Sequence, residues 1–390
     1  MNSLKRLLYT NTASVLWFCI IPVVIIKHFF LSNLNNNYFI YKYTFWHALN
    51  GQTLFGYYPG EYLDKNHYGP LFSLVMAPYA WLPDWAGYPL WVATLVTFLF
   101  LVIKKLPLAD WQKNGILFIC LNELLTSSFN VQFSVMIAGL IALTYIFIDN
   151  KSDFWAPLPM LIGAFVKLYG IVGLAFFFFV KDKPKFILGC LFWSVILFVL
   201  PMIISSPRYV LDMYQEWYTY LIIKNSENVS LTSHQDFSVM GFVRRMLQNP
   251  TIPNWPFLGV GILLFGLPYL RIRQYQKKAF QLLLLSSVLI FPILFSSASE
   301  GSTYIIAFLG IAIWFVIQPY PRPRYVWILL LVAFLFASLN STDIYPLSYR
   351  IFLREHSVKA IPCLFIWLMI LYEMMTRSFE QYETDSQKQG

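Results

Sequence analysis

Two carboxylates lie in an aromatic stretch at residues 57–70, just before a long apolar run. They are Glu61 and Asp64, and tyrosines flank both of them. A carboxylate can take the proton of a hydroxyl group, and aromatic rings pack against the faces of sugars. The stretch therefore predicts a base for sugar chemistry, with Asp64 as the first candidate and Glu61 as the second. The alternative is a solvated loop in which these carboxylates have no special role.

Three cationic side chains are candidates to bind a phosphate group. Arg244 and Arg245 end a polar segment, and paired arginines bind phosphate through bidentate hydrogen bonds. Lys167 lies inside an apolar stretch, where an ionised group is costly and commonly marks a site. The alternatives are an arginine pair on lipid headgroups or on a solvated helix face, and a Lys167 that snorkels to the interface or pairs with Glu123.

Other polar side chains stand near the ends of apolar runs, namely Asn130, Gln132 and Glu300. The four cysteines have no CxxC spacing, and the sequence has no Walker loop, HExxH, GxSxG or dinucleotide fingerprint. We therefore expect no metal site and no cofactor, while a divalent cation is left open.

The elements that position these residues are apolar. Of 390 residues 58% are hydrophobic and only 12% are charged, about half the charge of a soluble domain. The sequence predicts an all-α polytopic membrane protein with about ten transmembrane helices, because its apolar runs approach the length that crosses a bilayer. The predicted spans are 13–31, 70–103 (one element broken at Pro83-Asp84), 115–129, 131–148, 186–204, 256–270, 279–296, 302–318, 325–339 and 358–375. Two prolines, Lys167 and Gly170 interrupt 155–180, which predicts a re-entrant hairpin or two half-helices.

The basic residues set the predicted topology. Most of the 28 lysines and arginines fall in the short loops on one side, which by the positive-inside rule is the cytoplasm. Both termini and a short tail at 376–390 then lie in the cytoplasm, and the long loops 32–69, 205–255 and 340–357 lie outside. The chain reads as a single integral membrane domain, 1–390, in the bacterial inner (plasma) membrane. Its net charge of +9 reflects this orientation, so no nucleic-acid partner is expected.

Several short motifs, in their order along the chain, resemble glycosyltransferase family 87. This family comprises polyprenol-phosphate-mannose-dependent mannosyltransferases with the GT-C membrane fold. The motifs are His-Ala-Leu-Asn-Gly at 47–51, Tyr-Gly-Pro-Leu-Phe at 68–72, Ala-Pro-Tyr-Ala-Trp-Leu-Pro at 77–83, Asn-Val-Gln at 130–132, Val-Lys-Leu-Tyr at 166–169 and a segment at 236–245 that ends in the two arginines. The resemblance implies a GT-C-like bundle with helices in its outer loops. It adds Tyr68 and Asp236 to the candidate site residues.

The chain departs from the family pattern at two places. Asn37 stands where the family has an aspartate, and Thr303-Tyr304 stands where it has His-Tyr. Asparagine is not a base, so Asp64 or Glu61 is predicted to take over that role. The alternative is an inactive member of the family.

The resemblance implies a hexosyltransferase that moves a hexose, mannose in the family, from a polyprenol-phosphate sugar to a lipid or glycan acceptor. The transfer would take place on the extracytoplasmic face and invert the anomeric carbon. The implied partners are the donor, the acceptor and membrane lipids. Two other functions stay open, a flippase or transporter of lipid-linked saccharides and a non-catalytic membrane scaffold.

Overall fold

The computed structural model of the chain describes residues 3–32, 35–233, 235–342 and 344–379. Within these ranges the regular elements are helical and no strand occurs. The α-helices are α1 (Ser3–Ile26), α2 (Asn36–Leu49), α3 (Phe72–Ala80), α4 (Asp84–Lys105), α5 (Asp110–Phe129), α6 (Ser134–Asp149), α7 (Pro157–Lys167), α8 (Lys183–Val199), α9 (Pro207–Asn228), α10 (Val239–Met246), α11 (Trp255–Gly266), α12 (Lys278–Leu294), α13 (Ile305–Val316), α14 (Arg324–Ala333), α15 (Leu347–Glu355) and α16 (Ala360–Thr376). Residues 380–390 of the predicted cytoplasmic tail lie outside the described part.

Shorter segments of 3-10 or π geometry continue or join these helices. The 3-10 segments are Tyr169–Phe179, Leu200–Ile203, Leu267–Leu270, Ile272–Gln274, Gly301–Thr303 and Leu339–Ser341, and the π segments are Lys27–Leu31 and Phe334–Ser338. Such changes of winding shorten the continuous α-helical stretches.

The helices support a membrane protein, but they do not confirm the predicted count of about ten spans. In the described ranges, three helical stretches are long and apolar enough to cross a bilayer: Thr12–Leu31, Asp84–Lys105 and Lys183–Ile203. A fourth results if α15 and α16, which meet at 56°, form one broken span. The other apolar helices, including α6, α7, α12 and α13, are shorter.

The chain divides into two compact units. The first contains Met1–Leu117 and Leu124–Lys224, and the second contains Phe118–Glu123 and Asn225–Gly390. The single membrane domain expected from the sequence stays a prediction.

In the first unit, the predicted break in the element at 70–103 is confirmed, because α3 ends at Ala80 and α4 begins at Asp84. α4 alone is long and apolar enough to cross a bilayer, while the nine-residue α3 packs against α2. Pro83 has an extended backbone (ψ 152°) and is the last residue of the segment that joins α3 to α4. An ion pair of 2.7 Å between Lys42 Nζ of α2 and Asp84 Oδ1 ties the start of α4 to α2.

The predicted interruption at 155–180 is confirmed. The helix α7 begins at Pro157 and ends at Lys167, Leu168 takes a left-handed conformation (φ 47°), and a 3-10 segment follows. Two glycines allow the halves to touch, because a Cβ on Gly163 would lie 2.9 Å from the Cα of Gly170. Re-entrance of this hairpin into a membrane stays a prediction.

In the second unit, buried ion pairs and hydrogen bonds join the helices. Lys359 Nζ, at the start of α16, lies 3.1 Å from Glu123 Oε2 and 3.1 Å from the carbonyl oxygen of Gly301. The suggested pairing of Lys167 with Glu123 is therefore wrong, since Glu123 pairs with Lys359. Near the other end of α16, the carboxylate of Glu373 accepts hydrogen bonds from Trp314, Gln318 and Tyr325.

Candidate active site

Tyr68 is the centre of a buried polar cluster in the first unit. Its hydroxyl group donates to Gln132 Oε1 (3.1 Å) and lies 2.9 Å from the hydroxyl group of Tyr41. The buried side chain of Asn66 accepts a hydrogen bond of 3.0 Å from the N–H of Tyr68 and donates one of 3.0 Å to the carbonyl oxygen of Tyr68. These bonds fix the phenol where the loop between α2 and α3 meets α2 and the start of α6.

The turn between α5 and α6 is strained where it presents Gln132. Val131 has φ 46°, a left-handed conformation that a β-branched residue rarely adopts. Its carbonyl oxygen accepts a hydrogen bond of 3.0 Å from Trp91 Nε1, which helps to hold this conformation. Backbone strain of this kind costs about 1–3 kcal/mol and tends to cluster at functional sites.

Lys167 lies at the break in the hairpin, directly before the left-handed Leu168. Its Nζ donates to Ser134 Oγ (3.2 Å) and lies 5.6 Å from the ring centroids of both Tyr68 and Tyr169. The side chain is half-buried. A hydroxyl group and two aromatic faces therefore hold the ammonium group beside the Tyr68 cluster.

Gly69 joins the Tyr68 loop to the Lys167 hairpin. Its N–H donates to the carbonyl oxygen of Val166 (3.0 Å). A Cβ at this position would collide with the carbonyl oxygen of Phe165 and lie 2.9 Å from the ring of Trp217. Only glycine permits this approach, which places Tyr68 next to Lys167.

Asp64, the first candidate base, is open to solvent near His67. Its side chain is 58% exposed, and Oδ2 lies 3.9 Å from His67 Nε2, beyond hydrogen-bond distance. The other ring nitrogen of His67 lies 3.0 Å from the hydroxyl group of Tyr220, on which the imidazole stacks. Asp64 itself has φ 76°, so this candidate residue also lies in the left-handed region.

The imidazole of His67 is neutral at neutral pH. Burial, and then the positive charge of Lys224, lower its pKa to about 4, and the charge of Lys167 acts in the same direction. The negative charge of Asp64 opposes this shift. Asp64 and Lys167 thus both lie within electrostatic range of one histidine, which links the candidate base to the candidate phosphate-binding cation.

Glu61, the second candidate base, is bonded to a buried histidine. His47 Nε2 lies 2.7 Å from Glu61 Oε2 and the two side chains are 1% and 32% exposed. Burial lowers the pKa of His47, against the hydrogen bond and the charge of Glu61. The imidazole is therefore a neutral donor to the carboxylate.

Asn37 and Asn130 are brought together. The Nδ2 of Asn37 donates to the carbonyl oxygen of Asn130 (3.1 Å), so this amide ties the first turn of α2 to the strained turn. The Nδ2 of Asn130 donates in turn to the carbonyl oxygen of Thr126 (2.9 Å). Asn37 thus acts as a hydrogen-bond donor that positions the turn.

In the second unit, Arg244 and Arg245 are almost completely buried and bind protein acceptors. Arg244 forms an ion pair of 2.7 Å with Asp236 Oδ2, donates to the carbonyl oxygen of Ile252 (2.9 Å) and binds the side chain of Asn254. These contacts fix the left-handed Asp236 (φ 61°) at the start of α10.

The guanidinium group of Arg245 binds the loop before α10. It donates to the carbonyl oxygens of Asp236 (2.9 Å), Gln235 (2.6 Å) and Ser233 (2.8 Å) and also binds Ser357. Binding of a donor phosphate by either arginine stays a prediction. It would require exchange of these internal hydrogen bonds, so the contacts favour a structural role.

Glu300 lies beside this loop in the second unit. Its Oε1 is 3.4 Å from Gln235 Nε2, and its Oε2 accepts a hydrogen bond from Ser302 Oγ (3.3 Å). The structure therefore groups Asp236, the arginines and Glu300 in one unit, and the other candidates in the first unit.

Residues that were not predicted to take part include Tyr41, His47 and Ser134, which hydrogen-bond Tyr68, Glu61 and Lys167. They also include His67, which lies near Asp64, and Tyr220, which contacts His67. His67 stands in the stretch that carries the carboxylates, so its position was a usable signal. Tyr220 is 153 residues further along the chain, and no local pattern joins it to His67. In the described ranges, no group of three or more His, Cys, Asp and Glu side chains is placed to hold a metal ion.

The model of glycosyltransferase family 87 matches residues 66–297, more than half of the chain. No curated protein matches. The matched region contains Tyr68, Gln132, Lys167 and both arginines, while Glu61, Asp64 and Glu300 lie outside it.

Proposed function

The chain belongs to glycosyltransferase family 87, and we propose that it transfers a hexose, mannose first, from a polyprenol-phosphate sugar donor to a lipid or glycan acceptor. Its family and its apolar helices make it a membrane glycosyltransferase. The donor, the sugar, the acceptor and the inverting course are proposals. So are an extracytoplasmic site, cytoplasmic termini and a location in the bacterial inner membrane.

The observation that carries this proposal is the environment of Lys167. An ammonium group at the break of an apolar hairpin, between two tyrosine rings and beside Ser134, suits the phosphate of a lipid-linked donor. The charge on that phosphate increases as the bond to the sugar breaks. A cation already fixed in place stabilises this charge without reorganisation in the transition state.

Asp64 is the proposed base. Its exposed carboxylate takes the proton of an acceptor hydroxyl group, and the acceptor oxygen attacks the anomeric carbon. The bond from that carbon to the phosphate oxygen breaks, and polyprenol phosphate leaves with the electron pair. A single displacement of this kind inverts the anomeric carbon and needs no covalent enzyme intermediate.

Tyr68, Gln132 and Asn37 act in this proposal as positioning residues. The Tyr68 ring lies beside the ammonium group and its hydroxyl group donates to Gln132, and Asn37 holds the turn that presents Gln132. The transfer step does not require either arginine to bind the donor phosphate. Their buried contacts support a role in holding the loop before α10.

The test is to incubate the purified full-length chain with polyprenol-phosphate hexoses and a mixed pool of membrane lipids and glycans. Polyprenol phosphate and glycosylated acceptor should form in equal amounts, and Asp64→Asn should abolish most of both. Movement of a lipid-linked saccharide across vesicles without release of polyprenol phosphate would instead establish a flippase and overturn the proposal.

A further inference from the structure

Among the described residues, Glu61 is the one polar contact of the buried His47 side chain. His47 lies in the last turn of α2, with the rings of Tyr43, Tyr58 and Tyr62 around it at centroid distances of 5.8, 4.0 and 6.0 Å. Its Nδ1 is buried and has no hydrogen-bond partner among the residues that the structure describes. The proton of the neutral ring therefore resides on Nε2, where Glu61 accepts it.

This arrangement fixes one oxygen of Glu61 and leaves the other open. Oε2 is occupied by the imidazole N–H at 2.7 Å, and no described residue hydrogen-bonds Oε1. The side chain of Glu61 is one-third exposed, whereas the ring that holds it is enclosed by tyrosines. A carboxylate oxygen held in one place at a surface can accept hydrogen bonds from the hydroxyl groups of a ligand.

The surroundings of Glu61 suit a sugar. Tyr58 is partly exposed, its ring packs on His47, and its hydroxyl group is fixed by a bond of 2.8 Å to the carbonyl oxygen of Thr53. Tyr57, the preceding residue, is 59% exposed. Aromatic faces next to a fixed carboxylate combine apolar packing with directional hydrogen bonding, the combination that sugar rings require.

We propose that Glu61 is a binding residue for the hydroxyl groups of a glycan acceptor, and that His47 is the positioning residue that holds it. The assignment rests on the proposed glycosyltransferase function and specifies its acceptor site. It separates the two carboxylates of the loop, because Glu61 binds the acceptor while Asp64 takes its proton.

Two readouts test the assignment. With the acceptor varied at saturating donor, Glu61→Gln should raise the acceptor KM about 10- to 100-fold, the loss of one hydrogen bond to a charged group, with kcat within threefold. His47→Leu should raise KM to a similar extent. The double variant should raise KM little further, because both changes disrupt the same hydrogen-bonded pair. His47→Gln, which keeps a side-chain donor, should restore part of the affinity.

Binding of hexose disaccharides to the full-length chain, measured by saturation-transfer NMR without any donor, separates this inference from the proposed function. Binding that weakens in Glu61→Gln and in His47→Leu supports the inference even if no turnover occurs. Two results would overturn it: a Glu61→Gln enzyme that loses kcat at unchanged KM, or a wild-type enzyme that releases polyprenol phosphate but binds no disaccharide.

Discussion

Replacement of Lys167 by methionine removes a positive charge from the candidate donor site and keeps the apolar stem. The ammonium group donates to Ser134 Oγ at 3.2 Å and lies 5.6 Å from the centroids of two tyrosine rings. A hydrogen bond from such a group to a charged phosphate contributes about 1.5–3 kcal/mol. Its loss should therefore weaken donor binding by about 12- to 150-fold.

The assay is equilibrium binding of a fluorescent polyprenol-phosphate hexose to the chain in nanodiscs. Lys42→Met is a matched control, because Lys42 lies in the same unit but forms an ion pair with Asp84. Lys167→Arg, which keeps the charge, should retain most of the affinity. Equal donor affinity in the wild type and in Lys167→Met would refute the assignment of the phosphate to this lysine.

Four further predictions follow from the loops. Asp64→Asn should lower kcat by about 10²- to 10⁴-fold at unchanged donor affinity, and near-normal turnover in steady-state assays would exclude this base. Gly69→Ala should lower the free energy of unfolding by about 1–3 kcal/mol in a thermal-denaturation assay, because the new Cβ would collide with the Phe165 carbonyl oxygen. If Lys167 shifts by about an ångström as a result, turnover should fall by about 10²-fold. The pKa of His67 is lowered from 6.5 to about 4 in the folded chain, so the free energy of unfolding should rise with pH between these values and level off above them. A free energy of unfolding that rises as the pH falls through this range would contradict the prediction. Single cysteines at the exposed Tyr57 and Leu247, in a cysteine-free background, should react with an impermeant reagent on intact cells; labelling only after lysis would reverse the topology.

Local breaks in the helices were predictable because proline, glycine and charge act on their own neighbourhood. Pro157 and Gly170 in an apolar stretch predicted the hairpin, and the structure confirms its break. The break in 70–103 was predicted at Pro83-Asp84 and is confirmed, but apolarity alone did not show that α3 is a short helix that packs on α2.

Pairings between distant residues were not predictable. The sequence suggested Glu123 as a partner for Lys167, but Glu123 forms its ion pair with Lys359, which is 236 residues away. Arg244 and Arg245 were interpreted from their charge alone. Their partners are backbone carbonyl oxygens, the carboxylate of Asp236 and the side chains of Asn254 and Ser357, contacts that only the folded chain creates.

Some candidate positions carried a local signal that could be read only from the backbone. Asp64, Val131, Leu168 and Asp236 have positive φ angles, and each is a candidate site residue or the neighbour of one. Residues held in such conformations cost energy, and Lys151, Gln248 and Ser357 also adopt them. The residue types gave little hint of this, since none of the four is glycine and only the two aspartates belong to a type enriched at positive φ.

Acceptor-dependent release of polyprenol phosphate is the most direct measurement of the central claim. Purified wild-type chain in nanodiscs, given a polyprenol-phosphate hexose and a pool of glycan and lipid acceptors, should release polyprenol phosphate and form one glycosidic bond for each molecule released. Asp64→Asn should bind the donor with wild-type affinity and release almost none. A wild-type chain that binds the donor but forms no glycosidic bond with any acceptor in the pool would contradict the account.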